Sequence, residues 1–383
     1  MNIMEKQTIR NSNHELMRII SMFFIVINHV LFHGHVFTNN LNPTLNYLLY
    51  LLMLIILVHV NSFILVTGYY QCKKNFRQSA IWKIINASLF YKITILIILT
   101  SIGVLTLDHI SILKELSPIQ LAGYWFIKNY CLLYCLSPFL NKLIDSMNKK
   151  EFRYLLIVGL IIISIIPNFT NSQTFENNGF TLYNFIYVYF IGAYLRNYPL
   201  DKSYFFKKFS TNALRTILLG IFFACAFGQF ILLFFAKNLI GLNPLFTEIG
   251  TTIKNSIEIE GTGFGYSNPV IIIQSIAYFA FFTTLNFKSK FINKIATLVF
   301  GVYLIHENMY LRWHEYKWLG IDNGPIYSCS FLIKALFISI LLYIICLIIE
   351  FIRQKIFKFI YDRKISKRIR DGYYNWLHSF YIK

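Results

Sequence analysis

Ten stretches of apolar sequence, each nearly free of charge, recur along this 383-residue chain, and no feature constrains its folding more. They lie at about 16–34, 46–69, 84–107, 122–140, 154–168, 180–196, 214–236, 268–286, 295–311 and 329–351. A run of roughly 20 such residues spans the hydrocarbon core of a bilayer as a helix. In lipid every backbone N–H and C=O must pair inside its own segment, so runs of this length become helices rather than barrel strands. Only 14% of the residues are charged, where a soluble domain runs near 25%, and the mean hydropathy is +0.53. A water-soluble globule, a disordered chain and a disulfide scaffold are therefore excluded. The expected fold is all-α, a polytopic membrane bundle of about ten transmembrane helices. The stretches at 154–168, 180–196 and 295–311 are short for the bilayer core and leave little room for tilt. A polar, basic segment precedes the first run and no small-residue cleavage site follows it, so it reads as a span rather than a cleaved leader.

Basic residues test this count independently. With the N-terminus inside, 28 of the 36 Lys and Arg fall on the cytoplasmic side, as the positive-inside pattern requires. Lys92 and Lys128 lie within spans, and only six basic residues fall outside. One miscounted helix would invert every later loop. Both termini are thus expected in the cytoplasm, with a transmembrane domain over 1–352 and a basic tail over 353–383. The net charge of +19 is spread through short loops with no soluble module to carry it, so a lipid bilayer and not a nucleic acid is the expected partner. The six cysteines form no CxxC pair, and Cys131 and Cys135, one helical turn apart, read as small packing residues. The longest outside loop, about 237–267, holds a GTGFG run without the preceding strand or Lys-Ser/Thr of a phosphate loop; it reads as a flexible lid.

Ionisable side chains inside spans are costly and mark function by default. Arg18 and His29 are eleven positions apart on the first helix, which returns them to within about 20° on one face and separates them by roughly 16 Å. Arg18 at the cytoplasmic mouth either snorkels to headgroups or clamps a phosphate. His29, deeper, either bonds a neighbouring carbonyl or takes a proton from a hydroxyl. His33 and His35 fall at the outer end of that helix and read as solvated or, alternatively, as metal ligands. His59 reads as a polar contact between helices. Lys92 and Lys128 each face the bundle interior or water, and His306 and Glu307 sit in the ninth stretch.

Four segments resemble one family. Glu15-Leu16-Met17-Arg18-Ile19-Ile20-Ser21-Met22, running to Val26 and His29, is similar to the first helix of the acyltransferase family 3 membrane proteins, where an Arg is followed by ten residues and a His. Val60 through Gly68 to Tyr70, Trp125 through Tyr134 to Pro138 and Asn141, and Gly301-Val302-Tyr303-Leu304-Ile305-His306-Glu307-Asn308 resemble further stretches. The last two look most like the branch that O-acetylates bacterial capsular and exopolysaccharides. The resemblance implies a bacterial plasma-membrane enzyme with acetyl-CoA as cytoplasmic donor. The implied acceptor is a sugar hydroxyl of a surface polysaccharide or its lipid-linked precursor. His29 matches the family's essential histidine, as general base or transient acyl acceptor, and Arg18 its partner on the CoA side. Many members carry an Arg-x-x-Arg motif where this chain has Lys83-Ile84-Ile85-Asn86. Lys83 remains as a point charge for CoA phosphates, and Asn86 does not. From position, His306 joins His29 among the catalytic residues and Lys92 joins Arg18 and Lys83 among the donor-binding ones; no metal is expected. The competing readings are a transporter or flippase for polysaccharide or lipid-linked oligosaccharide, and a polysaccharide polymerase.

Overall fold

Each of the ten apolar stretches folds as helix, and local chemistry sets where the helices begin. In the computed structural model, which describes residues 11–106, 124–170, 178–204, 206–259 and 263–361, α1 (Ser12–His33) starts where the Asn11 side chain accepts the Asn13 N–H, meeting one of the free amides of a helix start. α2 (Pro43–Ile56) and α3 (His59–Gln71) share the second stretch, and α4 (Gln78–Ser101), α5 (Trp125–Ser146) and α6 (Lys149–Gly159) follow. A wide π turn at Leu160–Ile165 leads into α7 (Ile166–Thr170). Then come α8 (Leu182–Asn197), α9 (Thr211–Leu239), α10 (Pro244–Ile257) and α11 (Pro269–Thr284). α12 (Lys290–Ala296), α13 (Val299–His306), α14 (Arg312–Trp318) and α15 (Ser330–Tyr361) complete the described chain. Its only strands, among the described residues, are a two-residue antiparallel ribbon of Glu258–Ile259 with Gly263–Phe264. The loop expected over 237–267 is thus largely helix; Gly261 and Thr262 lie outside the described residues.

Among the described residues, six helices are long and apolar enough to cross a membrane: Ser12–His33, Pro43–Gln71 taken through its break, Gln78–Ser101, Lys149–Asn168, Thr211–Leu239 and Ser330–Phe359. The other four stretches fall on helices that are shorter or more polar. α13 and α8 show why: seven of the eight residues of α13 and ten of the sixteen of α8 are buried, and a helix largely enclosed by protein needs neither a full span nor a continuous apolar surface. The long helices instead expose apolar stripes at helical spacing, such as Phe223, Phe227, Ile231 and Phe235 on α9 and Phe337, Ile344 and Ile348 on α15. Those stripes are the lipid-facing surface of a multi-pass bundle.

α1 is the pole of the assembly, packed against α2, α3, α11, α12, α13, α14 and α15. Its first turn is tied to the loop after α11: Asn13 Nδ2 donates to the Leu285 carbonyl and Ser289 N–H to Ser12 Oγ at 2.9 Å. Beside it, α3 and α8 cross at backbone contact. A Cβ on Gly68 would meet the Tyr189 carbonyl oxygen at 2.2 Å, and one on Gly192 the Leu65 carbonyl oxygen at 2.3 Å. Each helix thus presents its glycine to the other's backbone, the close approach that small residues permit in membranes.

Two apolar stretches are interrupted, at Leu57–Val58 inside the bundle and at Thr297–Leu298, where Thr297 is exposed. Backbone groups freed at such breaks need partners where there is no water. Gln274 Nε2 donates to the Leu54 carbonyl at 2.9 Å and Ser62 Oγ to that of Val58 at 2.7 Å. At the second break Gln354 Nε2 donates to the Thr297 carbonyl at 3.0 Å. α15 passes through the expected boundary at 352 without interruption, and Arg353 turns back onto Glu350 with Nη2 at 2.6 Å and Nε at 2.7 Å. The rest of the expected tail, from residue 362, lies outside the described residues.

Two outcomes follow. Gly192→Ala should lower stability in detergent by about 1–3 kcal/mol through overpacking against a backbone that cannot yield, seen as a lower melting temperature; an unchanged melt would remove the crossing from the stability of the fold. Gln274→Met, similar in volume, should cost ~1–3 kcal/mol by leaving the Leu54 carbonyl unmet, with chemical denaturation as the measurement.

Candidate functional site

One face of α1 opens the interior. Asn11, His14, Glu15, Arg18, Met22, Ile25 and His29 follow each other at helical spacing along a cavity of about 650 Å³, so the cavity follows the helix for roughly 27 Å. The opposite wall comes from α3 at the same spacing, with His59, Val60, Phe63, Thr67 and Tyr70. α5 contributes Trp125, Phe126 and Tyr130, the segment before α11 contributes Tyr266, and α13 contributes Tyr303. The Asn11 end is polar and cationic, with Arg18, Tyr70, Gln71 and Lys74. There the His14 ring is fixed on three sides: Nδ1 lies 2.7 Å from the Tyr70 hydroxyl, Nε2 lies 3.0 Å from Thr283 Oγ1, and the ring stacks on Phe279 at 5.0 Å.

At the other end, side chains from α1, α13 and its cap, and α14 gather around His29. Its Nδ1 lies 3.0 Å from His306 Nε2 and 3.1 Å from Glu307 Oε2. His33, one turn on, places Nε2 3.2 Å from the same oxygen. Arg312 Nη1 holds the other carboxylate oxygen at 2.6 Å. Bonding assigns the protons. His306 Nδ1 lies 2.6 Å from the Val302 carbonyl, which can only accept, so that nitrogen carries the hydrogen and a neutral His306 presents its Nε2 lone pair. His29 must then donate from Nδ1 to His306 Nε2, with the Glu307 carboxylate beside that N–H. The His29 Nε2 lone pair is left over, and the ring lines the cavity. A ring with Nδ1 tied down and Nε2 free is in the tautomer a general base needs.

A second layer holds α13 in place. The Tyr124 hydroxyl donates to the Leu304 carbonyl at 2.7 Å and accepts from Asn308 Nδ2 at 3.0 Å. Outside the spans, burial pushes the Glu315 carboxyl well above the ordinary range, and Arg312 pairs with Glu307. His29 Nδ1, His33 Nε2 and Glu307 Oε2 lie within 4.8 Å of one another, a spacing a divalent cation could bridge. The Arg312 guanidinium on Glu307 already supplies compensating positive charge, and the trio reads as an ion-paired cluster around that carboxylate.

Of the residues singled out from the sequence, Arg18 and His29 line one cavity, and His306 touches His29. Arg18 is also held by Glu15, Nη1 to Oε2 at 2.9 Å. Lys83 is exposed in the first turns of α4, where its neighbour Ile84 lines the cavity instead, and Asn86 is exposed as well. Lys92 is 2% exposed and buried on α4 away from the cavity wall. Lys74 lines the mouth and was not anticipated. His33 is turned onto Glu307 rather than solvated, whereas His35 is exposed. Glu307 carried one available signal, an acid in an otherwise apolar stretch.

Compared with known proteins, the chain matches the family model of an acyltransferase domain over residues 11–350. No curated protein and no solved structure gives a match. The matched span runs from the cap of α1 to Glu350 and takes in the whole cavity, with the Arg18 and His29 pair and the Gly301–Asn308 segment at its two ends. On that coverage the chain belongs to acyltransferase family 3, a family of membrane acyltransferases.

Proposed function

We propose that the protein is a membrane-bound O-acyltransferase of the bacterial plasma membrane. It moves an acetyl group from cytoplasmic acetyl-CoA to a sugar hydroxyl of a cell-surface polysaccharide or its lipid-linked precursor. The observation that carries this reading is the continuity of one cavity from a cationic mouth at Arg18 and Lys74 to a histidine held as a base at His29. A donor with phosphates at one end and a thioester on a long flexible arm suits a channel whose charged and basic ends are about 16 Å apart along α1. Ten crossings with both termini in the cytoplasm belong to the proposal, supported by the placement of 28 of the 36 basic residues. They put Arg18 at the donor side and His29 toward the acceptor side.

The chemistry asks little beyond positioning and proton transfer, because a thioester already holds a good leaving group. His29 Nε2 takes the proton of the sugar hydroxyl, and the oxygen attacks the carbonyl carbon. The tetrahedral adduct collapses, the C–S bond breaks, and the thiolate takes the proton back from the imidazolium. Glu307 stabilises that imidazolium through Nδ1, while Arg312 and His33 hold the carboxylate in line. The same geometry serves a two-step route in which Nε2 attacks the carbonyl and carries the acetyl group.

The test is O-acetylation of extracted surface polysaccharide, read by proton NMR before and after mild base, in a deletion strain complemented with each variant. Wild type should restore base-labile acetyl groups and His29→Ala should not. If polymer amount or length changes while acetylation does not, a transport or polymerase role replaces this one. With purified protein, Glu307→Gln should lower kcat by ~10²–10⁴-fold with little change in KM for acetyl-CoA. Arg18→Ala should do the reverse, raising that KM about tenfold; equal effects of the two variants on kcat would sink the division of roles.

A further inference from the structure

Around the α2–α3 break several buried polar side chains find partners, although Gln274 Oε1 and Asn184 Oδ1 find none among the described residues. Asn61 Nδ2 donates to the Tyr266 carbonyl at 2.9 Å, Ser62 Oγ to Val58, and Gln274 to Leu54. His59, the first residue of α3, is 1% exposed, and neither of its ring nitrogens has a hydrogen-bond partner among the described residues. Its ring meets Tyr266 edge-on at 5.4 Å, a contact that fixes the ring and satisfies neither nitrogen. A neutral imidazole has one donor and one acceptor to place, and a bundle that supplies partners to its neighbours has left both unmet. The ring lines the cavity that His29 lines. From α13, one turn before His306, Tyr303 lines the same cavity, and its hydroxyl is buried without a partner among the described residues.

We propose that His59 is a second catalytic residue, its ring N–H donating to the carbonyl oxygen of the bound acyl group as that oxygen gains charge. This rests on the acyl-transfer reading of the cavity. When the acceptor oxygen bonds to the carbonyl carbon, the π pair of the C=O moves onto oxygen. The charge is met by the His59 N–H, with the Tyr303 O–H as a second donor. On collapse the C=O re-forms, the C–S pair leaves on sulfur, and the proton on His29 goes to the thiolate. Donors of this kind act where charge appears in the transition state, so they raise kcat with little effect on ground-state binding. The second nitrogen of His59 is left to accept from a hydroxyl or amide N–H of either substrate.

The experiment compares wild type, His59→Leu and His59→Gln, purified in lipid nanodiscs. Thiol release from acetyl-CoA, KM for acetyl-CoA and thermal melting are measured on each. His59→Leu should lower kcat ~10²–10³-fold with KM within about threefold and with the melting temperature kept or raised, because an unmet polar group is replaced by an apolar one. His59→Gln keeps a side-chain N–H and should recover about tenfold over His59→Leu. Wild-type kcat in His59→Leu overturns the proposal. So does a loss of activity that tracks a fall in melting temperature without recovery by Gln, or a failure of both variants to fold. An active wild type with an unaffected His59→Leu leaves the acyl-transfer reading standing and removes this one alone. A wild type inert toward acetyl-CoA removes both.

Discussion

A carboxylate inside a helical bundle has lost its water and must be answered by positive charge or by donors, and at Glu307 the answer organises the site. The residue is 3% exposed. Arg312 takes one oxygen, and His29 and His33 converge on the other. Removing one partner of a buried pair of this kind costs about 3–5 kcal/mol, so α1, α13 and α14 are held in register by a single side chain. That register turns the His29 ring. With Nδ1 committed to the Glu307 and His306 side, the remaining nitrogen is the one at the cavity wall. Charge neutralisation and catalytic poise are here one arrangement, and neither exists without the other.

The outer frame of this protein was legible in its sequence because hydropathy is a local property. All ten apolar stretches lie on helices. The Arg18 and His29 pair was legible for a similar reason, since eleven residues of helix return to one face. Chain breaks were not. Nothing near Leu57 or Thr297 marks an interruption, and the residues that make one tolerable, Gln274 and Gln354, lie on other helices. Lys83 and Lys92 failed to reach the cavity wall for a rotational reason. Depth along α4 can be counted from the sequence, but the helix turns Lys83 outward and carries Lys92 to another buried surface.

Partner supply is the other thing a sequence hides. His33, His59 and Glu307 each look like one more polar residue in an apolar run. What separates them is whether a neighbour arrives: His33 finds Glu307, Glu307 finds Arg312, and His59 finds none among the described residues. The conspicuous motif through Gly68 has a plainer explanation than chemistry, because its glycine sits where α3 touches the backbone of α8.

The break after α2 also has a bearing on how the protein is made. Its exposed Leu54 carbonyl is met by a side chain 220 residues later, and the amide of Asn61 by a carbonyl 205 residues later. During synthesis, the first third of the chain therefore enters the membrane with polar groups that nothing yet translated can cover. Until the segment from Tyr266 to Gln274 is made, those groups have no such partner in the chain, so the N-terminal half relies on the C-terminal half for two of its buried hydrogen bonds.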